Sequence, residues 1–516
     1  MKQKFTSTIA GASIFISLLG LFSRGLGFIR EMIFASNFGL ETEFDLYLVG
    51  AVLPVTINTI ILYIGQNYFI PGFQKIDSSD PQKAKSYYNQ SFFLFVVAAT
   101  LIALVLLLLN DSVINFYMQS ATPESREIAT QIFKLFLLTI PFAAGISIFS
   151  ALLQTVYEFK YPAISVLFLN VSIILLLLLF SDRFGVFIIP VGYILGMVLQ
   201  FCYLFVKSQK FVKLDLFAYQ KEYSFSKSIL SSSLVTIILI ESISQLYSLF
   251  DRYFYGEISS GGIASLNYAL IVWFLPVSIL SISLATAVFP MITKAINDFS
   301  NEQIEKIYNE SISMNTFIFI PLAFILFFYG DILIKIFFER GKFVEESTAM
   351  TFSVLRFYSI SLVFYSVYSV FNKIFYSIKE VKLLLWITII GLLIKLIFNL
   401  MLVDLEQNGL ALSTSISFIF FFLASYIILN IKLKIKNQSL FIKDFTFHFV
   451  NCLFSFLLIN VFANLFPIKS IIKDGTIILF FVCLYLINSI LLKHNSILIS
   501  DRVIKNLNLS NRSKIV

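Results

Sequence analysis

What most limits the folds open to this chain is the repeated return of an uninterrupted apolar run of about twenty residues, the length a helix needs to cross the hydrocarbon of a bilayer. A window of about 19 residues places such runs near 8–28, 44–69, 88–109, 128–154, 160–181, 185–206, 228–254, 263–291, 312–329, 351–377, 382–403, 409–432, 447–466 and 472–493. Fourteen runs in 516 residues leave no room for a soluble domain of useful size. With 58% hydrophobic and 13% charged residues and a mean hydropathy of +0.88, the chain is too apolar for a water-soluble globule. The expected class is an all-α polytopic membrane protein of about fourteen transmembrane helices. The first run continues from Ser7 past Arg24 without a small-residue cleavage pattern and reads as a retained helix. Cys202, Cys452 and Cys483 lie far apart in apolar runs, which suits buried thiols better than a disulfide framework. With only His448 and His494, no histidine-based metal site is expected, and no cofactor.

The formal net charge of +8 invites a nucleic-acid reading, but its distribution is topological. With the N-terminus inside, 25 of the 38 Lys and Arg residues fall in inside loops and seven in outside loops, the asymmetry expected of cytoplasmic loops. Both termini are therefore expected in the cytoplasm, and no nucleic acid is implied. Six cations remain within or at the rims of spans: Arg24, Arg30, Lys134, Arg252, Arg356 and Lys395. The acids set against them are chiefly Asp45, Glu241 and Asp251, with Glu31 beside Arg30. Charge inside a bilayer is costly and usually faces a water-filled cavity or a partner. A positive balance points to an anionic substrate such as a phosphate or pyrophosphate, which guanidinium grips through paired hydrogen bonds. The bland reading is that some of these side chains snorkel to the headgroups or sit in short structural pairs.

A shift of 222 residues aligns Arg30 with Arg252, Asp45 with Asn267 and Pro54 with Pro276, and a shift of about 220 aligns the Asp111 and Asp331 segments. Both copies end in a proline and a basic loop, Pro71 to Lys75 and Pro290 to Lys294. The expected organisation is an N-terminal lobe over 1–215, a C-terminal lobe over 216–435, an extra helix pair over 436–493 and a cytoplasmic tail over 494–516. Parallel repeats of this kind place a transport site between lobes that rock against each other. Pro54, Pro141, Pro276, Pro321 and Gly65 interrupt spans and are candidate bends.

The stretch Ser23-Arg24-Gly25-Leu26-Gly27-Phe28-Ile29-Arg30-Glu31, then Asp45 nine residues before Pro54, then Phe69-Ile70-Pro71, resembles the opening signature of the MurJ/MviN lipid II flippase family. Asp251-Arg252, the segments 264–269, 287–290 and 338–343, and Asn408 to Leu412 resemble later blocks of it in the right order, so the likeness covers about residues 10 to 430. That family belongs to the superfamily (MOP) holding the O-antigen and capsule flippases and the MATE drug exporters. The resemblance implies that Arg24 and Arg30 hold the pyrophosphate of an undecaprenyl-linked sugar, with Asp45 as the second-span aspartate; Arg252, the counterpart of Arg30 in the internal repeat, is the substrate-binding candidate of the other half. It also implies that residues 447–493 border a groove for the prenyl tail. Two positions depart from the family pattern: Asn58 stands where an arginine is usual, and Leu270-Ile271 follows Tyr268-Ala269 where a basic residue is usual. Lys134, Arg356 and Lys395 are the candidates to supply the missing charge.

No nucleophile with its base, no metal-ligand spacing and no phosphate-cradling glycine loop is evident, so no enzyme is expected. Without an ATPase motif, energy must come from an ion gradient, the membrane potential or the substrate gradient. Asp45, Glu241 and Asp251 are the coupling candidates, with a cation as an open partner. The leading expectation is an alternating-access flippase for a lipid-linked saccharide, lipid II first, in the bacterial inner membrane and in contact with membrane lipids. An O-antigen or capsule flippase, a cation-coupled drug exporter and a non-transporting scaffold are the alternatives.

Overall fold

A computed structural model describes residues 9–78, 80–215, 232–465 and 471–492, and these are helical almost throughout, with no strand among them. The expected tail over 494–516 lies outside the described residues. Where the fourteen apolar runs fall on described residues, they are helical almost throughout. Among the described residues nine helices are long and apolar enough to cross a membrane, or ten when one bent pair counts as a single span.

The chain divides into two compact units, Met1–Ala264 with Arg340–Val344, and Ser265–Glu339 with Glu345–Val516. The first holds α1 (Ile9–Phe38), α2 (Thr42–Asp77), α3 (Pro81–Leu108), α4 (Asn110–Tyr117), α5 (Pro123–Leu137), α6 (Thr139–Thr155), α7 (Lys160–Phe184), α8 (Ile188–Ser208) and α9 (Ser232–Tyr253), and it ends in the first turn of α10 (Gly262–Pro276). Two helix starts of this unit carry polar side-chain caps: the Asp80 carboxylate accepts from the N–H groups of Gln82 and Lys83 ahead of α3, and the Thr122 hydroxyl accepts from Ser125 ahead of α5. The Lys83 N–H in particular holds the Asp80 carboxyl below its ordinary value. Inside the unit α2 lies along α5, α6 and α9, α3 lies on α6, and α7 pairs with α8 and α1. Gly65 lets α2 and α6 come close, and there Ser147 donates to the carbonyls of Ile61 and Leu62 at 3.2 and 3.3 Å. Its core is aromatic, with Phe69, Tyr87, Phe92 and Phe149 buried together.

The second unit holds the remainder of α10, then α11 (Ile282–Asn297), α12 (Asn301–Phe338), α13 (Glu345–Ser359), α14 (Leu362–Ser377), α15 (Val381–Met401), α16 (Glu406–Lys432), α17 (Leu440–Leu465) and α18 (Ile471–Leu491). Here α12 is the central post, packed by α13, α14, α17 and α18. Trp273 is buried against Tyr365 and Phe418, with centroids 5.2 and 5.4 Å away.

The bends only partly follow the prolines. Pro54 and Pro71 sit inside an unbroken α2, because neighbouring helices tolerate the missing N–H. Pro276 does mark a break, a π-helical turn over Val277–Ser281. A bend of 51° between α13 and α14 has no proline at all and falls at Ile360-Ser361. In α12 the non-helical residue is Tyr329 and not Pro321. Of the three thiols only Cys452 is buried; Cys202 and Cys483 are exposed, because both sit on helix faces turned away from the protein interior.

Candidate functional site

The first constellation is built on α1. Arg30 is four-fifths buried, with 18% of its side chain exposed. Its guanidinium donates to Glu31 at 2.5 Å and to the Asn170 side chain of α7 at 3.2 Å. It also lies 5.6 Å from the centre of the Phe34 ring and 5.8 Å from that of Tyr193 on α8, so two aromatic faces support the cation. Arg24 is exposed on the same helix. Six residues of helix turn the two arginines about 120° apart and about 9 Å along the axis. A single anion meets both only through the length of their side chains.

The second constellation surrounds Asp45 at the start of α2. Its two carboxylate oxygens accept from the backbone N–H groups of Gly261 and Ala264, each at 2.7 Å. These are donors at the first turn of α10, where orphan N–H groups and the helix dipole favour an anion. Asp45 is 1% exposed, and Arg252 at the end of α9 lies within Coulombic reach of it. Around this contact the Thr42 and Ser260 hydroxyls meet at 2.6 Å. Lys342 donates from its backbone to Ser36 O and from its ammonium to Glu41, both at 2.9 Å. Gly39, Gly261 and Gly341 all have positive φ here and approach neighbouring backbone so closely that a Cβ would collide. Residues 36–45, 256–264 and 340–344 thus form one clasp. Beside it a polar cavity of about 230 Å³ is lined by Asp45, Ser120, Thr122, Tyr255 and Ser259.

The remaining candidates are dispersed. Asn58 is buried on α2 and donates to the Thr139 hydroxyl at 2.7 Å. Asp251 and Arg252 are both buried, 6% and 7% exposed. Glu241, nearly three turns earlier on α9, accepts from Gln245 at 3.0 Å. Lys134 is exposed at a charged cavity of about 360 Å³ with Asp111, Arg126 and Glu127. In the second unit Arg356 is exposed, lies 4.2 Å from the Phe352 ring and donates to Phe327 O. Lys395 is fully buried in α15 and donates to the Thr414 hydroxyl of α16 at 2.7 Å. No group of three or more His, Cys, Asp or Glu side chains suited to a metal occurs among the described residues.

One feature carried no expectation of its own. Asn170 and Tyr193 complete the Arg30 pocket, and only their three-dimensional placement reveals it. In the second unit an apolar cavity of about 330 Å³ runs between α12, the α13–α14 bend and α17, walled by Phe324, Phe328, Phe364, Phe445, Phe449 and Leu453.

A family model described as lipid II flippase MurJ matches residues 34–479. The chain belongs to the MurJ family. Its MurJ relatives include a probable lipid II flippase of Borreliella burgdorferi, 26% identical over 423 residues, covering 81% of this chain and 83% of that one. Another is the lipid II flippase MurJ of Thermosipho africanus, 26% identical over 490 residues, covering 89% and 97%. Among solved structures, a lipid II flippase MurJ in an inward closed conformation has a TM-score of 0.78 at 22% identity and covers 93% of this chain and 99% of that one. An inward-facing MATE multidrug transporter of the MOP superfamily has a TM-score of 0.66 at 18% identity, covering 79% and 94%. These likenesses show a MOP-type transporter fold. MurJ proteins are inner-membrane transporters and not enzymes. The family match opens at Phe34, four residues after Arg30, so the α1 arginines stand outside the matched stretch.

Proposed function

We propose that this MurJ-family chain is a flippase that carries an undecaprenyl-pyrophosphate-linked saccharide precursor, lipid II for peptidoglycan synthesis, from the cytoplasmic to the outer leaflet by alternating access. The observation that carries the reading is the family match over 34–479, in a family described as lipid II flippases. The lobes over 1–215 and 216–435 rock against each other, with the helix pair over 436–493 beside them and both termini in the cytoplasm.

In this reading Arg24 and Arg30 hold the pyrophosphate. Arg30 is prepared for it: Asn170, Phe34 and Tyr193 fix its guanidinium, and the arriving anion takes over the donors now given to Glu31. With the N-terminus inside, α2 and α10 both begin on the outer side. The Asp45 clasp then closes the outer exit while the site is open to the cytoplasm, and Arg252 supports the Asp45 charge. The apolar cavity against α17 takes part of the prenyl tail, which keeps each methylene out of water at a gain of about 0.8 kcal/mol.

The test is complementation in a strain depleted of its own lipid II flippase. Wild-type chain restores growth, whereas Arg24→Ala and Arg30→Ala, expressed at normal levels in the membrane, do not. Growth with both variants removes the pyrophosphate clamp. Failure of the wild type, together with rescue of a strain lacking an O-antigen or capsule flippase, moves the substrate to another lipid-linked glycan, the outcome that Asn58 in place of a cation would favour.

A further inference from the structure

One face of α17 is not apolar. Asp444, His448, Asn451 and Ser455 follow at spacings of four, three and four, so they line one side of the helix, and they are 4%, 0%, 5% and 0% exposed. Across the seam Ser313 of α12 donates to Asp444. Toward α18 the Asn451 amide donates to the Tyr485 carbonyl at 3.1 Å and the Ser489 hydroxyl at 2.8 Å, and Asn488 of α18 donates to Asn451 at 3.1 Å. Hydrogen bonds between helices account for the amides and hydroxyls, which hold neighbouring spans together. They do not account for placing both a carboxyl and an imidazole on the same buried face, where neutral residues would bond as well.

Proton accounting fixes part of the chemistry. The Tyr485 hydroxyl donates its one proton to Phe317 O at 2.8 Å, yet its oxygen is also 2.9 Å from His448 Nδ1. That second bond therefore has Nδ1–H as its donor. His448 carries a proton on Nδ1, and Nε2 is the nitrogen at which a proton is gained or lost. Asp444 sits one helical turn away on the same face, so an imidazolium formed at Nε2 is matched by the Asp444 carboxylate. In hydrocarbon a net charge is costly, and two interacting groups of this kind hold a proton as a pair.

We propose that Asp444 and His448 form a proton-binding site in the α12–α17–α18 seam, and that the chain takes up and releases a proton there during transport. The coupling half of this rests on the flippase reading above. It has a direct route, because Phe445 and Phe449, each one residue on from a member of the pair, wall the apolar cavity. A change of charge on the seam face changes how α17 docks on α12 and hence the shape of that wall. The other titratable groups in register on the packed elements are Lys443 and Cys452 on α17, Glu310 one turn before Ser313 on α12, Tyr426 on α16, and Tyr485 on α18.

The chain has two histidines, so the full-length His494→Gln protein, labelled with nitrogen-15 histidine and placed in lipid nanodiscs, reports His448 alone by NMR. Nδ1 is expected to stay protonated, Nε2 to pass from bare to protonated between about pH 8 and pH 5, and Asp444→Asn to move that passage by about one pH unit or more. An Nε2 that keeps one state throughout, or a passage that Asp444→Asn leaves in place, overturns the site. In proteoliposomes holding a fluorescent undecaprenyl-pyrophosphate saccharide, a pH gradient is expected to change the wild-type flipping rate at least threefold and to leave Asp444→Asn and His448→Gln unmoved. A variant that responds like the wild type overturns the coupling. If the wild type flips no lipid, the flippase reading falls, while the NMR titration still decides the proton site.

Discussion

Asp45 shows what a single carboxylate does when a helix start is brought to it. Both oxygens are occupied by N–H groups of the α10 turn, so the residue acts as a cap supplied from another helix. Asp45→Ala leaves two buried donors without an acceptor, and helix caps of this sort are worth about 0.5 to 2 kcal/mol. Asp45→Asn keeps one acceptor but turns an amide N–H toward a backbone N–H. Thermal unfolding of the purified protein should therefore fall in the order wild type, Asn, Ala, and a midpoint for Asp45→Ala equal to the wild type would remove the cap. At this scale the sequence was half legible. Asp45 stands out as an acid opening an apolar run, and Arg30 as a cation inside one. Their partners do not stand out, because Gly261 and Ala264 contribute only backbone, 216 and 219 residues away, and Asn170 is 140 residues from Arg30. Asn58 reads in the sequence as a missing cation; in the fold its amide is already engaged with Thr139.

Helix by helix, the hydropathy pattern located every apolar run but not the shape of α17. A windowed average reads 447–466 as nearly all apolar, since Phe and Leu outweigh one imidazole and three amides. Sorting the same residues by helical face separates the seam of Asp444, His448, Asn451 and Ser455 from the cavity wall of Phe445, Phe449 and Leu453. Breaks were less legible than spans, because a proline in a membrane helix is satisfied by its neighbours, while the 51° bend at Ile360-Ser361 answers to packing around α12 and α17. The cavity that this bend helps to form gives an element-scale prediction. Ala323→Trp places an indole in a space of about 330 Å³ and should slow flipping of a long-tailed substrate at least tenfold, or about 1.4 kcal/mol on the barrier. Leu457→Trp, on an exposed face of α17, should leave the rate unchanged. Equal rates for the two variants in proteoliposomes would mean that the tail does not use this cavity.

For the whole molecule, the proposed alternating-access cycle predicts that the clasp joining residues 36–45, 256–264 and 340–344 comes apart once in every turn. Its chemistry suits a contact that is specific yet reversible. Apart from the Asp45 cap it includes one hydroxyl pair, one exposed Lys342–Glu41 ion pair, the backbone bond from Lys342 to Ser36 and close backbone approaches at glycines, and exposed ion pairs contribute little net stability. A covalent bond at the same place should therefore stop transport without unfolding the chain. Thr42 and Ser260 are the positions for it, because their hydroxyl oxygens are 2.6 Å apart, close enough for paired cysteines to meet the geometry of a disulfide. The native thiols stay out of the reaction if Cys202, Cys452 and Cys483 are first replaced by Ser or Ala. In that background oxidised Thr42→Cys/Ser260→Cys protein should flip lipid at less than about a tenth of its reduced rate, a barrier increase of about 1.4 kcal/mol or more, and a reductant should restore it. Each single cysteine variant should ignore the oxidant. A crosslinked protein, verified by mass, that still flips at the reduced rate would show that the clasp stays closed through the whole cycle, and the outer exit would have to lie elsewhere.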